Sequence, residues 1–315
     1  MQSFPKTNDP LKRGARAHRL SRRAMLRNGV LLMSAAGVSI SEWNTVLSAE
    51  AQPSPALRIG LVTDVHYADK PAGRTRYYRD SLAKLSADVD RFNRDPLDAA
   101  VMLGDFIDSG ETAEEEIEFL KKIQSVFAGF KGPRHYVLGN HDSWSLTKTQ
   151  FLRQCGAVKE FYSFNHGRFH FVILDACYRA DGVSYGNKNF DWKDSEIPPD
   201  QREWLGYDLD SAEGPTIVFV HQRLDVANEY AVKSAPAVRK ILEDSKKVVA
   251  VFQGHSHKND YHEIGGIHYC TLRAVVEGPG AANNACAELS VFPDGSLKVA
   301  GFDRQQSYQW PAPAR

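Results

Sequence analysis

Five short motifs in this sequence carry side chains that can bind metal ions or transfer protons. They are Asp64-Val65-His66, Gly104-Asp105, Gly139-Asn140-His141-Asp142, His221 and Gly254-His255-Ser256-His257. Two carboxylates, one amide and four imidazoles among them make seven candidate ligands of hard-to-borderline type. Each motif alone occurs often by chance, so the inference depends on their joint presence. Together they are enough to hold two divalent cations that share one carboxylate.

Two further pairs of residues suit roles other than metal binding. We expect His141 to protonate a leaving oxygen as a general acid, and Asp142 to hold the tautomer of its imidazole ring. Arg74 and Arg76 lie between the first motif and the first predicted helix, where either can bind an anionic group of a substrate. A solvent-exposed helix start is an equally good interpretation of these two arginines.

The first three motifs follow apolar segments of strand type. The predicted order is strand 57–63, helix 75–93, strand 99–103, helix 112–130 and strand 135–138. Thr112 and Glu115 have the spacing of a capping box at the start of the second helix. This alternation is typical of right-handed βαβ units in a parallel sheet. In such sheets ligands bind beyond the carboxyl ends of the strands, which is where these motifs fall.

The second half of the chain has mainly strand patterns. Strands are predicted at 169–174, 216–220 and 247–252, helices at 200–209 and 235–244, and hairpins at 261–270 and 285–302. No repeat or linker divides residues 57–303, so we predict one domain containing two sheets. We expect residues 304–315 to form a polar, frayed tail.

The N-terminal residues 1–51 have the features of an export signal. Residues 21–27, SRRAMLR, resemble the twin-arginine motif, and a weakly apolar segment follows at 30–40. The sequence Ala-Glu-Ala at 49–51 fits a signal peptidase site. We therefore expect the twin-arginine machinery to export the chain to the periplasm or beyond, with cleavage after Ala51 and a short linker at 52–56. The alternative is a basic N-terminus that is amphipathic or disordered.

Composition excludes several classes of partner. The 315-residue chain has no net charge, but residues 1–51 hold eight basic and three acidic side chains, which leaves the remainder mildly acidic. A mildly acidic body argues against general nucleic-acid binding. No apolar run approaches the roughly 20 residues of a membrane helix, so we expect no stable membrane anchor.

The four cysteines do not have the spacing of a zinc site. They are Cys155, Cys177, Cys270 and Cys286. Buried thiols are the first interpretation. A disulfide between Cys270 and Cys286 is the alternative, provided that their strands are neighbours and the compartment is oxidising.

The motif order D-x-H, G-D-x-x-D, G-N-H-D, H and G-H-x-H resembles that of the calcineurin-like metallophosphoesterase superfamily over nearly all of residues 57–303. The resemblance implies an α/β fold of four layers, α/β/β/α, in which two mixed sheets pack together and helices lie outside. It implies one metal ion on Asp64, His66, Asp105 and His257, with Asp105 bridging to a second ion on Asn140, His221 and His255. Two such ions lower the pKa of a bridging water, which attacks phosphorus as a hydroxide. Manganese, iron and zinc all suit these mixed ligands.

Residues 63–68, 74–79 and 291–294 resemble, more narrowly, the manganese-dependent ADP-ribose/CDP-alcohol diphosphatases. Those enzymes split the pyrophosphate of nucleotide diphosphate compounds. Animal members of that branch have Gln where this chain has His66, so a broad phosphomonoesterase or phosphodiesterase activity is the alternative. A non-catalytic metal-binding protein is a further alternative. Asp108 stands where purple acid phosphatases carry an iron-ligating Tyr, which argues against that type.

A long polar segment at 178–199 bears on the substrate. It contains Tyr185, Phe190 and Trp192, which can form a rim on which a flat group stacks. Aromatic side chains that pack this segment against the domain are an equally good explanation.

Overall fold

The computed structural model describes residues 54–95, 97–157 and 159–312, so the predicted export signal lies outside the described residues. Within them the chain forms twelve strands and five α-helices. The strands are β1 (Leu57–Val62), β2 (Ala99–Met102), β3 (Arg134–Tyr136), β4 (Tyr162–His166), β5 (Phe169–Ile173), β6 (Thr216–Phe219), β7 (Val248–Gln253), β8 (Asp260–Ile264), β9 (Ile267–Thr271), β10 (Ala285–Val291), β11 (Leu297–Asp303) and β12 (Tyr308–Trp310). The helices are α1 (Asp80–Arg94), α2 (Ala113–Phe127), α3 (Lys148–Cys155), α4 (Pro199–Ser211) and α5 (Ala235–Ser245). Among these described helices none has both the length and the apolar composition that crossing a bilayer requires.

The strands form two six-stranded sheets. The first has the order β12-β11-β10-β1-β2-β3, and the second has the order β4-β5-β6-β7-β9-β8. Strands β1, β2 and β3 are parallel, as are β5, β6, β7 and β9, whereas β10 and β8 run antiparallel to their neighbours. Both sheets are therefore mixed, as the family resemblance implied.

Alternation of apolar residues along the strands creates three cores. Along β5, Phe169, Phe171 and Ile173 point into the core between the sheets, whereas Val172 points into the core under α4 and α5. A third core lies between the first sheet and helices α1 to α3. A strand that buries both faces has apolar residues at successive positions. This explains the continuous apolar segments that predicted the strands. The predicted α/β/β/α arrangement is confirmed.

Helix α1 begins at Asp80, five residues later than the sequence predicts. The cause is a tight turn at 73–76, in which Gly73 and Arg76 exchange two backbone hydrogen bonds of 3.0 Å. Arg76 also forms a β-bridge with Glu277. The turn therefore pins residues 73–76 to the loop that follows β9, and both arginines of this segment precede the helix.

In the C-terminal half one expectation is wrong, and the choice between the two interpretations of the cysteines is decided. Residues 308–310 of the expected frayed tail form β12, which pairs with β11 and buries Trp310 against His268 with their rings stacked 4.7 Å apart. Cys270 lies on β9 of the second sheet and Cys286 on β10 of the first, so their strands are not neighbours. All four cysteines are free and buried, which confirms the first interpretation and excludes the disulfide.

A buried lysine joins α1 to the loop after β9. Lys84 is 2% exposed, and its ammonium donates to the backbone carbonyls of Val275, Glu277 and Gly278 at 2.8, 3.1 and 2.8 Å. Three acceptors compensate for the removal of the charge from water. The loop that carries Glu277 is thereby fixed in place.

Asp88, one turn further along α1, gives a pH-dependent prediction. Burial raises the pKa of this carboxyl to about 7, against the lowering effect of its hydrogen-bond partners Cys286 and Asn284. The folded state therefore holds the proton more tightly than the unfolded state, and this residue lowers stability as pH rises from about 4 to about 7. Asp88→Asn should gain about 2 kcal/mol of unfolding free energy over the wild type between pH 5 and pH 8.

Chemical denaturation at the two pH values measures this difference. The matched control is Asp90→Asn, which changes an exposed carboxylate of the same helix. A gain that is equal at pH 5 and pH 8 would contradict the assignment of the effect to ionisation of Asp88.

Candidate metal centre

All seven candidate ligands lie together at the carboxyl ends of strands from both sheets. Asp64 and His66 follow β1, Asp105 follows β2, Asn140 follows β3, His221 follows β6, and His255 and His257 follow β7. Their side chains are buried or nearly so, although each carries a polar group. The structure thus brings together the set that the sequence predicts.

One cluster consists of Asp64, His66 and His257. Asp64 Oδ1 lies 3.3 Å from His257 Nε2 and 3.7 Å from His66 Nε2. The two imidazole Nε2 atoms are 3.0 Å apart. Three converging ligand atoms at these separations can bind one ion between them.

A second cluster, of Asp105, His221 and His255, adjoins the first. Asp105 Oδ2 lies 3.1 Å from His221 Nε2 in this cluster and 3.4 Å from His66 Nε2 in the other. Because one carboxylate oxygen lies between ring nitrogens of both clusters, Asp105 is the residue placed to be shared by two ions.

Several of these ligand atoms have no partner within the protein. Asp64 Oδ1, Asn140 Oδ1, His221 Nε2 and His255 Nε2 are buried and accept or donate no hydrogen bond among the described residues. Unpaired buried polar atoms are costly and rare in folded proteins. Four such atoms among the seven candidate ligands fit bound cations, which would supply the missing partners.

The other nitrogen of three imidazoles is held by a protein acceptor. His221 Nδ1 is 2.7 Å from the carbonyl oxygen of Leu103, and His66 Nδ1 is 2.9 Å from Asp108 Oδ2. His257 Nδ1 is 2.8 Å from Glu277 Oε1. Such contacts fix the ring and direct Nε2 towards the centre, as the outer partners of metal-ligating histidines do.

The backbone at the motifs is strained. Asp64, His66, Asp105, His255 and His257 all have positive φ angles, between 45° and 70°. This region is unfavourable for residues with a Cβ atom, and clusters of such residues occur at functional sites. Five of the seven candidate ligands have this strained backbone. The strain indicates that the surrounding structure forces these residues into positions that direct their side chains to a common site.

The motif glycines allow the strand ends to approach one another. A Cβ atom on Gly139 would lie 2.1 Å from the backbone nitrogen of Asp105, and one on Gly254 would lie 2.1 Å from Thr63 Oγ1. No side chain fits at either position. Glycine at these places is therefore required for Asp105 and His255 to reach the same site.

Electrostatics in the centre keep its carboxylates ionised. Burial acts to raise the pKa of Asp105, but the His221, His141 and His66 imidazoles outweigh it and hold the pKa well below its usual range. Conversely, despite burial, the charge of Asp105 raises the pKa values of His66 and His221 to about 9. Binding of cations must therefore displace protons from these rings.

Residues 57–259 match the family model described as calcineurin-like phosphoesterase. The chain belongs to the calcineurin-like phosphoesterase family. Its fold, its clusters of candidate metal ligands and this match make it a metal-dependent phosphohydrolase.

Similar proteins include manganese-dependent ADP-ribose/CDP-alcohol diphosphatases of plants. Those of Oryza sativa subsp. japonica and Arabidopsis thaliana are 25% and 26% identical to this chain, over 83% and 82% of it and 95% and 97% of their own lengths. A dimetal phosphatase from Danio rerio has the same fold, with a TM-score of 0.73 and 22% identity over 82% of this chain and 100% of that one. A purple acid phosphatase from yellow lupin has a TM-score of 0.52 and 15% identity over 82% of this chain and 54% of that one.

Within this phosphoesterase site, Asp142 does not hold the His141 ring, so that expectation is wrong. Asp142 Oδ1 accepts from the backbone nitrogens of Phe106 and Ile107 at 2.7 and 3.2 Å, and Oδ2 accepts from Gly139 at 2.9 Å. The carboxylate is buried and ties the second motif to the third. Its role is to brace the backbone.

The carboxylate that faces His141 belongs to Asp108. His141 Nδ1 lies 3.5 Å from Asp108 Oδ2 and 3.2 Å from Ser109 Oγ. Asp108 also accepts from Lys70 at 2.6 Å and from Arg76 at 3.1 Å. The spacing of Asp108, three residues after Asp105, was the signal in the sequence that could have found it.

Of the two arginines predicted to bind substrate, one is paired with a carboxylate of the protein and the other is not. Arg76 donates to Asp108, whereas Arg74 is exposed beside the centre. Both line a cavity of about 760 Å³ that also reaches His255 and His257. Sequence reasoning missed two other cations of this cavity, Lys258 and Arg273, which come from loops after β7 and β9.

The aromatic segment at 178–199 both packs against the domain and lines a cavity. Tyr185 is 2% exposed and belongs to the core between the first sheet and helices α1 to α3, so it packs the segment against the domain. Its ring also stacks on Phe190 with centroids 3.7 Å apart. Phe190 and Trp192 line a second cavity of about 510 Å³ together with Trp144. This cavity also borders His141.

Proposed function

We propose that this chain hydrolyses the pyrophosphate linkage of nucleoside diphosphate compounds, such as ADP-ribose or CDP-alcohols, with a pair of divalent ions. The observation that carries the proposal is the position of Asp105 between two adjoining clusters, next to a cavity lined by arginines. The relatives named as manganese-dependent ADP-ribose/CDP-alcohol diphosphatases support the same substrate class and favour manganese over iron or zinc.

In this proposal Asp64, His66, Asp105 and His257 hold one ion, and Asp105, Asn140, His221 and His255 hold the other. When bound, the two ions supply charge that polarises phosphoryl oxygens and lowers the pKa of a water molecule. The two carboxylates offset only part of that charge, so the site attracts an anionic phosphate ester.

His141 is the general acid of the proposal. Its Nδ1 faces Asp108 and Ser109, so Nε2 is the atom available to a leaving oxygen. Ser109 Oγ is within hydrogen-bonding distance of the ring. Burial lowers the pKa of His141 to about 4, and it outweighs the charges of Asp105 and Asp108, which favour the protonated form. Asp142 contributes indirectly, because it holds the backbone of the G-N-H-D motif against the loop after β2.

We also propose that the twin-arginine machinery exports the protein, with removal of residues 1–51. The support for export is the sequence motif alone. Twin-arginine substrates fold before export, which suits a protein that must acquire metal ions in a buried site. Subcellular fractionation of cells with Arg22-Arg23 intact, and after Arg22→Lys with Arg23→Lys, tests this point: the double variant should remain in the cytoplasm.

A substrate panel tests the proposed activity. The full chain is reconstituted with manganese, iron or zinc and assayed on ADP-ribose, bis(p-nitrophenyl) phosphate and p-nitrophenyl phosphate. We expect the highest kcat/KM for ADP-ribose with manganese. A preference for bis(p-nitrophenyl) phosphate would instead assign a broad phosphodiesterase activity, and a preference for p-nitrophenyl phosphate would assign a broad phosphomonoesterase activity. Full metal content without any hydrolysis would indicate a binding protein.

Glu277→Gln gives a prediction about metal affinity. Glu277 touches His257 but no other candidate ligand, so its loss should weaken manganese binding about 10- to 100-fold. At saturating manganese kcat should change little, because the ligands themselves remain. The manganese concentration for half-maximal activity measures the effect, and Glu263→Gln on the exposed face of β8 is the control. An unchanged manganese requirement would contradict the role given to Glu277.

A further inference from the structure

Two cavities of different chemistry meet at the metal centre. The basic cavity, of about 760 Å³, is lined by His255, His257, Arg74, Lys258 and Arg273 among others. The aromatic cavity, of about 510 Å³, is lined by Ser109, Asn140, His141, Trp144, Phe190, Asp191 and Trp192. The cavities adjoin, because the Trp192 ring lies edge-on to His255 with centroids 5.5 Å apart.

The basic cavity has cations that the protein itself does not neutralise. Arg76 and Glu277 are paired with Asp108 and His257, respectively. In the part of the chain that the structure describes, Arg74, Lys258 and Arg273 have no ion-pair partner, and Arg273 Nε is buried without a hydrogen-bond partner. Guanidinium groups in this condition favour a phosphate, which accepts several of their hydrogen bonds at once.

The aromatic cavity has a fixed wall. Phe190 is held by Tyr185, whose ring stacks on it within 4° of parallel, and by the edge of Trp144 at 5.5 Å. Trp192 is held by Tyr230 and His255, each with a centroid distance of 5.5 Å. Rings held in this way lose little conformational freedom when a flat group stacks on them.

We propose that a nucleoside diphosphate substrate lies across the metal centre, with its base against Trp144 and Trp192 and its second phosphate at Arg74 and Arg273. The assignment rests on the proposed function and adds the direction in which the substrate binds. One phosphate lies at the ligand clusters, with the base in the aromatic cavity and the second phosphate in the basic cavity. Hydrolysis breaks the bond to the oxygen that bridges the two phosphates, so this oxygen must lie where the cavities meet, beside His66 and within reach of His141, whose rings are 4.6 Å apart. A substrate without a base makes no contact in the aromatic cavity, and one without a second phosphate makes none in the basic cavity.

Two non-hydrolysable probes separate the cavities. The probes are α,β-methylene-ADP and methylenediphosphonate, which shares the phosphonate pair but has no nucleoside. Their dissociation constants are measured by calorimetry on the manganese-loaded full chain. Trp192→Leu should weaken α,β-methylene-ADP about tenfold and leave methylenediphosphonate unchanged, since stacking on one aromatic ring has about that value. Arg273→Gln should weaken both probes about tenfold.

Matched variants outside both cavities serve as controls. Trp204→Leu changes a half-buried tryptophan of α4, and Arg153→Gln changes an exposed arginine of α3. Neither should alter either dissociation constant. If Trp192→Leu and Trp144→Leu both bind α,β-methylene-ADP as the wild type does, or weaken both probes equally, the base does not lie in the aromatic cavity.

Failure of this inference differs from failure of the proposed function. If the protein hydrolyses bis(p-nitrophenyl) phosphate but Trp192→Leu and Trp144→Leu do not change the binding of α,β-methylene-ADP, only the placement of the base is wrong. A chain that hydrolyses no phosphate ester overturns the function, while tenfold probe effects would still support the two binding cavities.

Discussion

Asp105→Asn should lower kcat/KM for phosphoester hydrolysis by about a thousandfold, since metal-assisted charge stabilisation contributes several kcal/mol to such reactions. It should also leave fewer than two metal ions per chain. Asp105 Oδ2 lies 3.4 Å from His66 Nε2 in one ligand cluster and 3.1 Å from His221 Nε2 in the other. An amide nitrogen at that position cannot ligate a cation, so both ions lose a shared ligand.

The substitution is close to isosteric, so the fold should persist. Asp105 Oδ1 accepts from the backbone nitrogen of His141 at 2.8 Å, and an asparagine carbonyl can make the same bond. Metal content by mass spectrometry, kcat/KM and the melting temperature together measure the effect. Asp210→Asn, on the exposed end of α4, is the control. Two ions per chain with activity within tenfold of the wild type would show that Asp105 is not shared.

The ligand set could be predicted because each ligand is recognised from the few residues around it in the sequence. Each ligand stands directly after a strand, and strands that bury both faces are visible as apolar runs. Parallel strands then bring their carboxyl ends to one edge whatever the lengths of the connections. Asp64 and His257 therefore converge although 193 positions separate them.

Adjacency in sequence misled the prediction for Asp142. Residues 141–143 form a single 3-10 turn, in which successive side chains point about 120° apart. Asp142 therefore points back to the amides of Phe106 and Ile107 while His141 points to the metal centre. The sequence shows which side chains are neighbours along the chain, but not the turn that separates their directions.

Contacts made by loops from distant elements were also outside the reach of sequence patterns. Glu277 reaches His257 because Lys84 of α1 holds the carbonyls of its loop. Arg273 lines the basic cavity because the loop after β9 folds back to it, which no local sequence pattern shows. Strand β12 was missed because three residues with polar neighbours have no periodicity, and its pairing depends on the exposed edge of β11.

His141→Ala should lower kcat about 100- to 10,000-fold for substrates with poor leaving groups, which is the usual contribution of a positioned general acid. The metal content should stay at the wild-type value. His141 is not a member of the two clusters that contain Asp64 or Asp105, and its Nδ1 is directed to Asp108 and Ser109. Removal of the ring therefore removes proton donation and leaves the ligands in place.

The leaving group separates proton donation from other roles of this ring. p-Nitrophenolate leaves as an anion near neutral pH, so bis(p-nitrophenyl) phosphate should lose much less activity in His141→Ala than an alkyl phosphodiester, whose alkoxide needs a proton. His166→Ala, at the exposed end of β4, controls for the loss of an imidazole. Equal losses for both leaving groups would mean that His141 binds or orients the substrate, because only an acid acts in proportion to the basicity of the oxygen it protonates.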